Sequence, residues 1–232
     1  MPETRTCAQR PVPATPPVAL TFGRVLTQLD IGLTLFVGEG ITQLALPFCA
    51  PFLVREETLV AVDAANCFNL YRLTEWARRK RLSSPALLNR LRIARAFTPF
   101  QLATILHHIG GEMERYRATC LVLTGLPECL YDEELTEPEA RNTFARCRGS
   151  LVQLARRYPV LAFSEWPPHP VGKRIRFLDS LASLARSVFE VHRAEPILFA
   201  PVKAPGLLTL PQGGTEHGKN GPDRKSSPGT RP

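Results

Sequence analysis

Short apolar runs of strand length alternate with longer amphipathic segments along most of this 232-residue chain. We predict that the runs at 33–37, 58–63, 92–97, 119–124 and 159–164 form strands. Three of these runs are almost continuously apolar, which is typical of strands that are covered on both faces.

The segments between the runs carry apolar residues every three or four positions, which predicts helices around 102–109, 140–154 and 177–184. Two further alternating stretches, 187–192 and 196–201, lie close together and predict a closing hairpin. Because strands alternate with helices, the sequence predicts an α/β fold. We expect a mainly parallel sheet with helices on both faces and a closing C-terminal β-hairpin.

The two ends of the chain have a different composition from its middle. Residues 1–20 contain five prolines and little periodicity, which predicts a flexible Pro-rich arm. Residues 203–232 contain five prolines and six glycines, which predicts a disordered tail. The folded domain is therefore expected over 21–202.

Charge and cysteine content limit the class of protein. The net charge of +8 permits a nucleic acid or an acidic protein as partner. The six cysteines show no C-x-x-C spacing, which favours structural thiols, no metal site and a reducing, cytoplasmic location. Residues 1–20 lack the apolar core of a signal peptide.

Segment 33–54 has nearly the length of a membrane span, but its glycines and prolines favour a buried strand, a turn and a buried helix. We therefore expect no membrane partner.

The turn after the first predicted strand has part of a phosphate-binding motif. A P-loop needs a long glycine loop, a lysine for charge and a hydroxyl for magnesium. Here Gly38 and Gly40 precede Thr42 and Gln43, but the loop is short and carries no lysine.

A block further along the chain carries a family resemblance. It reads DAANCF at 63–68, YRL at 71–73, LLNRL at 87–91 and IARAFTPFQL at 93–102. It resembles the core of RecA-like recombinases of the archaeal and eukaryotic type, in which the second strand ends in D-T-E-G-x-F and the third carries A-R-A-[FY] before a glutamine. A looser resemblance covers about 22–205. It implies a RecA-like P-loop NTPase fold for 21–202.

The resemblance also implies that most of the catalytic groups are missing. The P-loop lysine falls at Ile41, the catalytic glutamate at Ala65, the magnesium aspartate at Thr124 or Gly125, and the phosphate-sensing glutamine near Glu165. Phosphoryl transfer depends on positioning and charge stabilisation, so we expect no catalytic residues and no bound cofactor. ATP with magnesium remains the alternative. The vestigial nucleotide-binding positions are Gly38, Gly40, Thr42, Gln43 and Asp63.

The basic residues that could contact DNA do not lie in the loop that corresponds to the first DNA-binding loop of that family. The first loop that binds DNA in that family corresponds to 127–139, which holds six carboxylates and is unsuited to phosphates. Basic residues occur elsewhere, and they are either solvated helix faces or a nucleic-acid footprint. The candidate nucleic-acid-binding residues are Arg78, Arg79, Lys80, Arg81, Lys173 and Arg174.

Three functions remain open from the sequence. The first is a non-catalytic RecA-like accessory subunit in DNA recombination or repair, with a protein partner such as another RecA-like subunit. The second is a DNA-dependent ATPase with an atypical P-loop. The third is a scaffold unrelated to DNA, since fold does not imply function.

Overall fold

The computed structural model describes residues 20–27, 29–167, 174, 176–192 and 197–203. The strands are β1 (Gly32–Val37), β2 (Leu59–Asp63), β3 (Leu91–Arg95), β4 (Cys120–Thr124), β5 (Pro159–Ser164), β6 (Ser187–His192) and β7 (Leu198–Lys203). The helices are α1 (Phe22–Leu26), α2 (Ala45–Val54), α3 (Leu70–Arg79), α4 (Ser84–Leu88), α5 (Pro99–Arg115), α6 (Glu137–Ala155) and α7 (Arg176–Leu184). Short 3-10 turns lie at Ile41–Leu44 and Glu128–Leu130.

The described strands form one sheet in the order β3-β2-β4-β5-β1-β6-β7. Strands β1 to β6 run parallel, and β7 pairs antiparallel with β6. The prediction of an α/β fold with a mainly parallel sheet and a closing hairpin is confirmed. Every predicted strand is present within two residues of its expected bounds.

The helices cover both faces of the sheet. Helices α5, α6 and α7 pack on one face with Leu33 and Leu35 of β1. Helices α1 to α4 pack on the other, where Phe36 stacks on Phe163 with ring centroids 4.9 Å apart. Alternate β1 side chains therefore enter two separate cores, which explains the continuous apolar sequence of the strand.

Hydrogen bonds between residues close in sequence also determine where some elements begin and end. Helix α6 begins at a capping box: the Thr136 hydroxyl accepts from the Glu139 N–H, and the Glu139 carboxylate accepts from the Thr136 N–H. Strand β3 ends two residues earlier than predicted, because the Phe97 N–H bonds the Gln101 side chain at the start of α5.

The segment considered as a membrane span folds as expected into β1, a glycine turn and α2. Within the described residues, no helix combines the length and apolar character needed to cross a bilayer. The cysteines resolved in the described part of the chain are free thiols, and burial raises the pKa of Cys67 to about 12. Residues 1–19 of the predicted arm and 204–232 of the predicted tail lie outside the described residues.

Candidate functional site

The carboxyl ends of β1, β2, β4 and β5 meet at one edge of the sheet. The chain leaves β1 toward α2 on one face, but it leaves β4 and β5 toward α6 and α7 on the other. Such a reversal opens a crevice at the strand ends, where ligands of open α/β sheets bind. The crevice between β1 and β5 is therefore the candidate site.

The turn after β1 forms one wall of this crevice. A Cβ at Gly38 would lie 2.7 Å from the carbonyl oxygen of Val191, so the close approach of the turn to β6 requires glycine. Gly40 has a φ of 63°, which glycine adopts without strain. Ile41 is buried in the core beneath the turn, so the position that resembles the P-loop lysine faces away from the crevice.

The carboxylate of Glu165 fills the place that an anion would take in this turn. Its two oxygens accept hydrogen bonds from the Gly40 N–H (2.5 Å), the Thr42 N–H (3.1 Å) and the Thr42 hydroxyl (2.9 Å). Amides at the first turn of a helical segment favour negative charge, and bonds to an ionised acceptor are strong. The two amides and the hydroxyl that this turn could offer to an anion are thus paired with the protein's own Glu165 side chain.

A second carboxyl group lies behind the first. Glu128, in the 3-10 turn after β4, accepts a short hydrogen bond from the Glu165 N–H, and its other oxygen is buried without a protein partner among the described residues. Burial raises the pKa of Glu128 to about 8, with the nearby Glu165 adding to the rise. Burial therefore favours the neutral form of the Glu128 carboxyl group over its charged form.

Glu128 is a crevice residue that the sequence pattern did not single out, because it is one of six acids in its loop. The available signal was its position, four residues beyond the end of β4. Neighbouring Tyr131 has a buried hydroxyl with no partner in the described protein. Burial, with a smaller contribution from Glu128, raises the pKa of that hydroxyl.

The Asp63 carboxylate is hydrogen-bonded to the loop that follows β2 and is not free in the crevice. Fully buried at the end of β2, it accepts hydrogen bonds from the N–H groups of Cys67 (3.0 Å) and Phe68 (3.1 Å). It also accepts from the Thr124 hydroxyl (3.0 Å) at the end of β4. Arg95 lies 3.7 Å from its second oxygen. The geometry gives Asp63 a structural role that ties β2 to β4.

The remaining nucleotide-related positions offer no catalytic group. Ala65 is exposed and has no polar side chain, and Gly125 has a φ of +80° with the backbone of Ala64 directly against it. Gln43 is exposed on the outer side of the 3-10 turn and lines a groove between α2 and α3. The structure thus brings Gly38, Gly40 and Thr42 together with Glu165, and it directs Gln43 elsewhere.

The basic residues divide into two groups. Arg78 and Arg79 end α3, and Lys80 and Arg81 follow it, all exposed to solvent. Lys173 lies outside the described residues.

The Arg174 side chain is hydrogen-bonded to the acidic loop that follows β4. Its guanidinium donates to the carbonyl oxygens of Leu130 (3.1 Å), Asp132 (2.5 Å) and Leu135, and pairs with Glu137 at 3.4 Å. Only 13% of its side chain is exposed. These contacts leave the Arg174 guanidinium little capacity to bind a nucleic-acid phosphate.

Comparison with models of known protein families gives no match, and comparison with curated protein sequences gives none either. A functional proposal for this chain therefore rests on its own residues.

Proposed function

We propose that this protein is a non-hydrolysing RecA-like domain that acts as an accessory subunit through protein contact. Its partner would be another protein, such as a RecA-like subunit engaged in DNA recombination or repair. The resemblance at 63–102 supports the family and the pathway in this proposal. The geometry of the crevice supports the absence of ATP hydrolysis.

The sheet order supports the first part. The resemblance assigns nucleotide chemistry to positions after β1, β2, β4 and β5. Those four strand ends lie at one edge, with β5 between β1 and β4. A chain of this resemblance would need that arrangement to assemble its nucleotide site.

The Glu165 carboxylate is the observation that carries the proposal. It holds both amides and the hydroxyl that a nucleotide phosphate would use. A phosphate would have to displace it and then lie beside a like charge, with apolar Ile41 in place of a lysine. The crevice therefore favours a closed, nucleotide-free state, and a protein in that state works by binding.

We expect Mg-ATP at millimolar concentration to leave the thermal midpoint of the wild-type protein unchanged in differential scanning fluorimetry. A ligand at 100 times its dissociation constant would stabilise the protein by about 2.7 kcal/mol, which is several degrees for a domain of this size. A clear rise that Thr42→Ala abolishes would contradict the proposal and favour the ATPase with an atypical P-loop.

A second experiment tests whether the protein acts as an accessory subunit. We expect the tagged full-length protein to co-purify with a RecA-like subunit from its native cells, identified by mass spectrometry. Co-purification only with proteins unrelated to DNA would favour the scaffold alternative.

A further inference from the structure

A groove of about 570 Å³ lies between α2 and α3, on the opposite face of the sheet from α5, α6 and α7. Its apolar lining comes mainly from aliphatic groups on α2 and from one face of α3. These residues are Leu46, Pro47, Ala50, Pro51, Leu73 and Trp76. Pro47 is exposed, so the groove opens to solvent along α2.

The rim of the groove is strongly basic. Arg72 and Arg79 line it directly, Arg78 lies in the last turn of α3, and Lys80 and Arg81 follow the end of that helix. Glu75 is the acidic residue among the groove-lining side chains. Within the described part of the chain, none of these five cations lies within ion-pair distance of a carboxylate. A cationic rim without internal partners complements an acidic ligand.

We propose that this groove binds an acidic peptide segment of a partner protein, with a large apolar side chain seated between α2 and α3. The aliphatic floor would bury the apolar anchor, and Arg72 and Arg79 would pair with flanking carboxylates. Central apolar anchors surrounded by charged contacts are the usual arrangement of peptide-binding grooves.

The lining favours a peptide over single-stranded nucleic acid. Nucleic-acid grooves combine basic residues with a row of exposed aromatic rings on which successive bases stack. Here most of the apolar lining consists of proline, leucine and alanine side chains. Its one aromatic residue, Trp76, is half-buried against the core of that face.

The inference goes beyond the closed crevice and does not rest on it. The peptide contacts would come from the outer side of α2 and from α3, not from the amides that hold Glu165. Mg-ATP binding by the wild-type protein would overturn the proposed function and leave the groove intact.

The test begins with selection of a phage-displayed library of acidic peptides, each containing one leucine, phenylalanine or tryptophan, on the full-length protein. Enriched peptides, labelled with fluorescein, are then titrated by fluorescence anisotropy. We expect the double variant Arg72→Glu with Arg79→Glu to weaken binding by about tenfold or more, because two attractions become repulsions. We expect Pro47→Glu to weaken it by a similar factor, by placing a carboxylate on the groove wall.

Arg148→Glu is the matched control, since Arg148 is an exposed arginine on α6, on the other face of the sheet. It should leave the affinity unchanged, and thermal midpoints should show that all variants fold. Failure to enrich any acidic peptide would overturn the proposal, as would equal binding to the wild-type protein and both groove variants. Binding of labelled oligothymidine that the same double variant abolishes, with no peptide enriched, would assign the surface to nucleic acid instead.

Discussion

Replacing Glu165 with alanine is expected to lower the free energy of unfolding by about 2–4 kcal/mol, because hydrogen bonds to a charged group contribute about 1.5–3 kcal/mol each and water replaces part of them. The variant removes the carboxylate that accepts hydrogen bonds from the Gly40 and Thr42 amides. The same vacancy should admit inorganic pyrophosphate, which can accept from those amides and from the Thr42 hydroxyl. Urea denaturation measures the first effect, and scanning fluorimetry with pyrophosphate measures the second.

The control variants distinguish an effect specific to the Glu165 site from the effect of removing any negative charge. Glu39→Ala removes an exposed carboxylate from the same turn and should change neither stability nor pyrophosphate response. Glu165→Gln keeps an acceptor oxygen without the charge, so its stability should fall between those of the wild-type protein and Glu165→Ala. A Glu165→Ala variant as stable as the wild-type protein and unresponsive to pyrophosphate would show that the carboxylate does not close an anion site.

Replacing Glu128 with glutamine is expected to make the protein more stable at alkaline pH and to leave it unchanged near pH 4.5. The native pKa of Glu128 is about 8, against 4.5 for an unperturbed glutamate. Between these values the unfolded chain loses a proton that the native protein keeps. The stabilising effect of the neutral carboxyl is therefore complete below pH 4.5 and is lost as the pH rises through 8.

Glutamine does not titrate, and its amide oxygen can still accept from the Glu165 N–H. Above about pH 8 the variant should therefore exceed the wild-type protein by a few kcal/mol, since each pKa unit corresponds to about 1.4 kcal/mol. Free energies of unfolding measured in urea at several pH values test this. Glu133→Gln, an exposed neighbour in the same acidic loop, should follow the wild-type profile. Parallel pH profiles for Glu128→Gln and the wild-type protein would refute the raised pKa.

Features set by local sequence could be predicted well. The apolar runs located the strands because a residue in a covered strand must be apolar whichever face it points to. The Thr136 capping box and the basic end of α3 follow from residues within one turn of each other. That the turn after β1 holds no lysine is visible from the chain alone.

The roles of charged side chains were harder to predict, because a charged residue in a loop is equally compatible with solvent, ligand or protein contacts. Arg174 is basic and near the loop that follows β5, which favoured a phosphate contact. The structure instead shows it bonded to the carbonyl groups of the loop that follows β4. Asp63, similarly, belongs to a buried hydrogen-bond network that only the pairing of β2 with β4 creates.

The sequence by itself determined the alternation of strands and helices, the C-terminal hairpin and the absence of a lysine from the turn after β1. Tertiary structure alone decided that Glu165 occupies that turn, across 125 residues of sequence from Gly40. It also decided that Glu128 is buried beside Glu165, which raises the pKa of Glu128. The physical reason is that periodicity and capping act over one or two turns, whereas sheet order places β5 beside β1 and thereby sets which carboxyl groups meet the amides and which are removed from water.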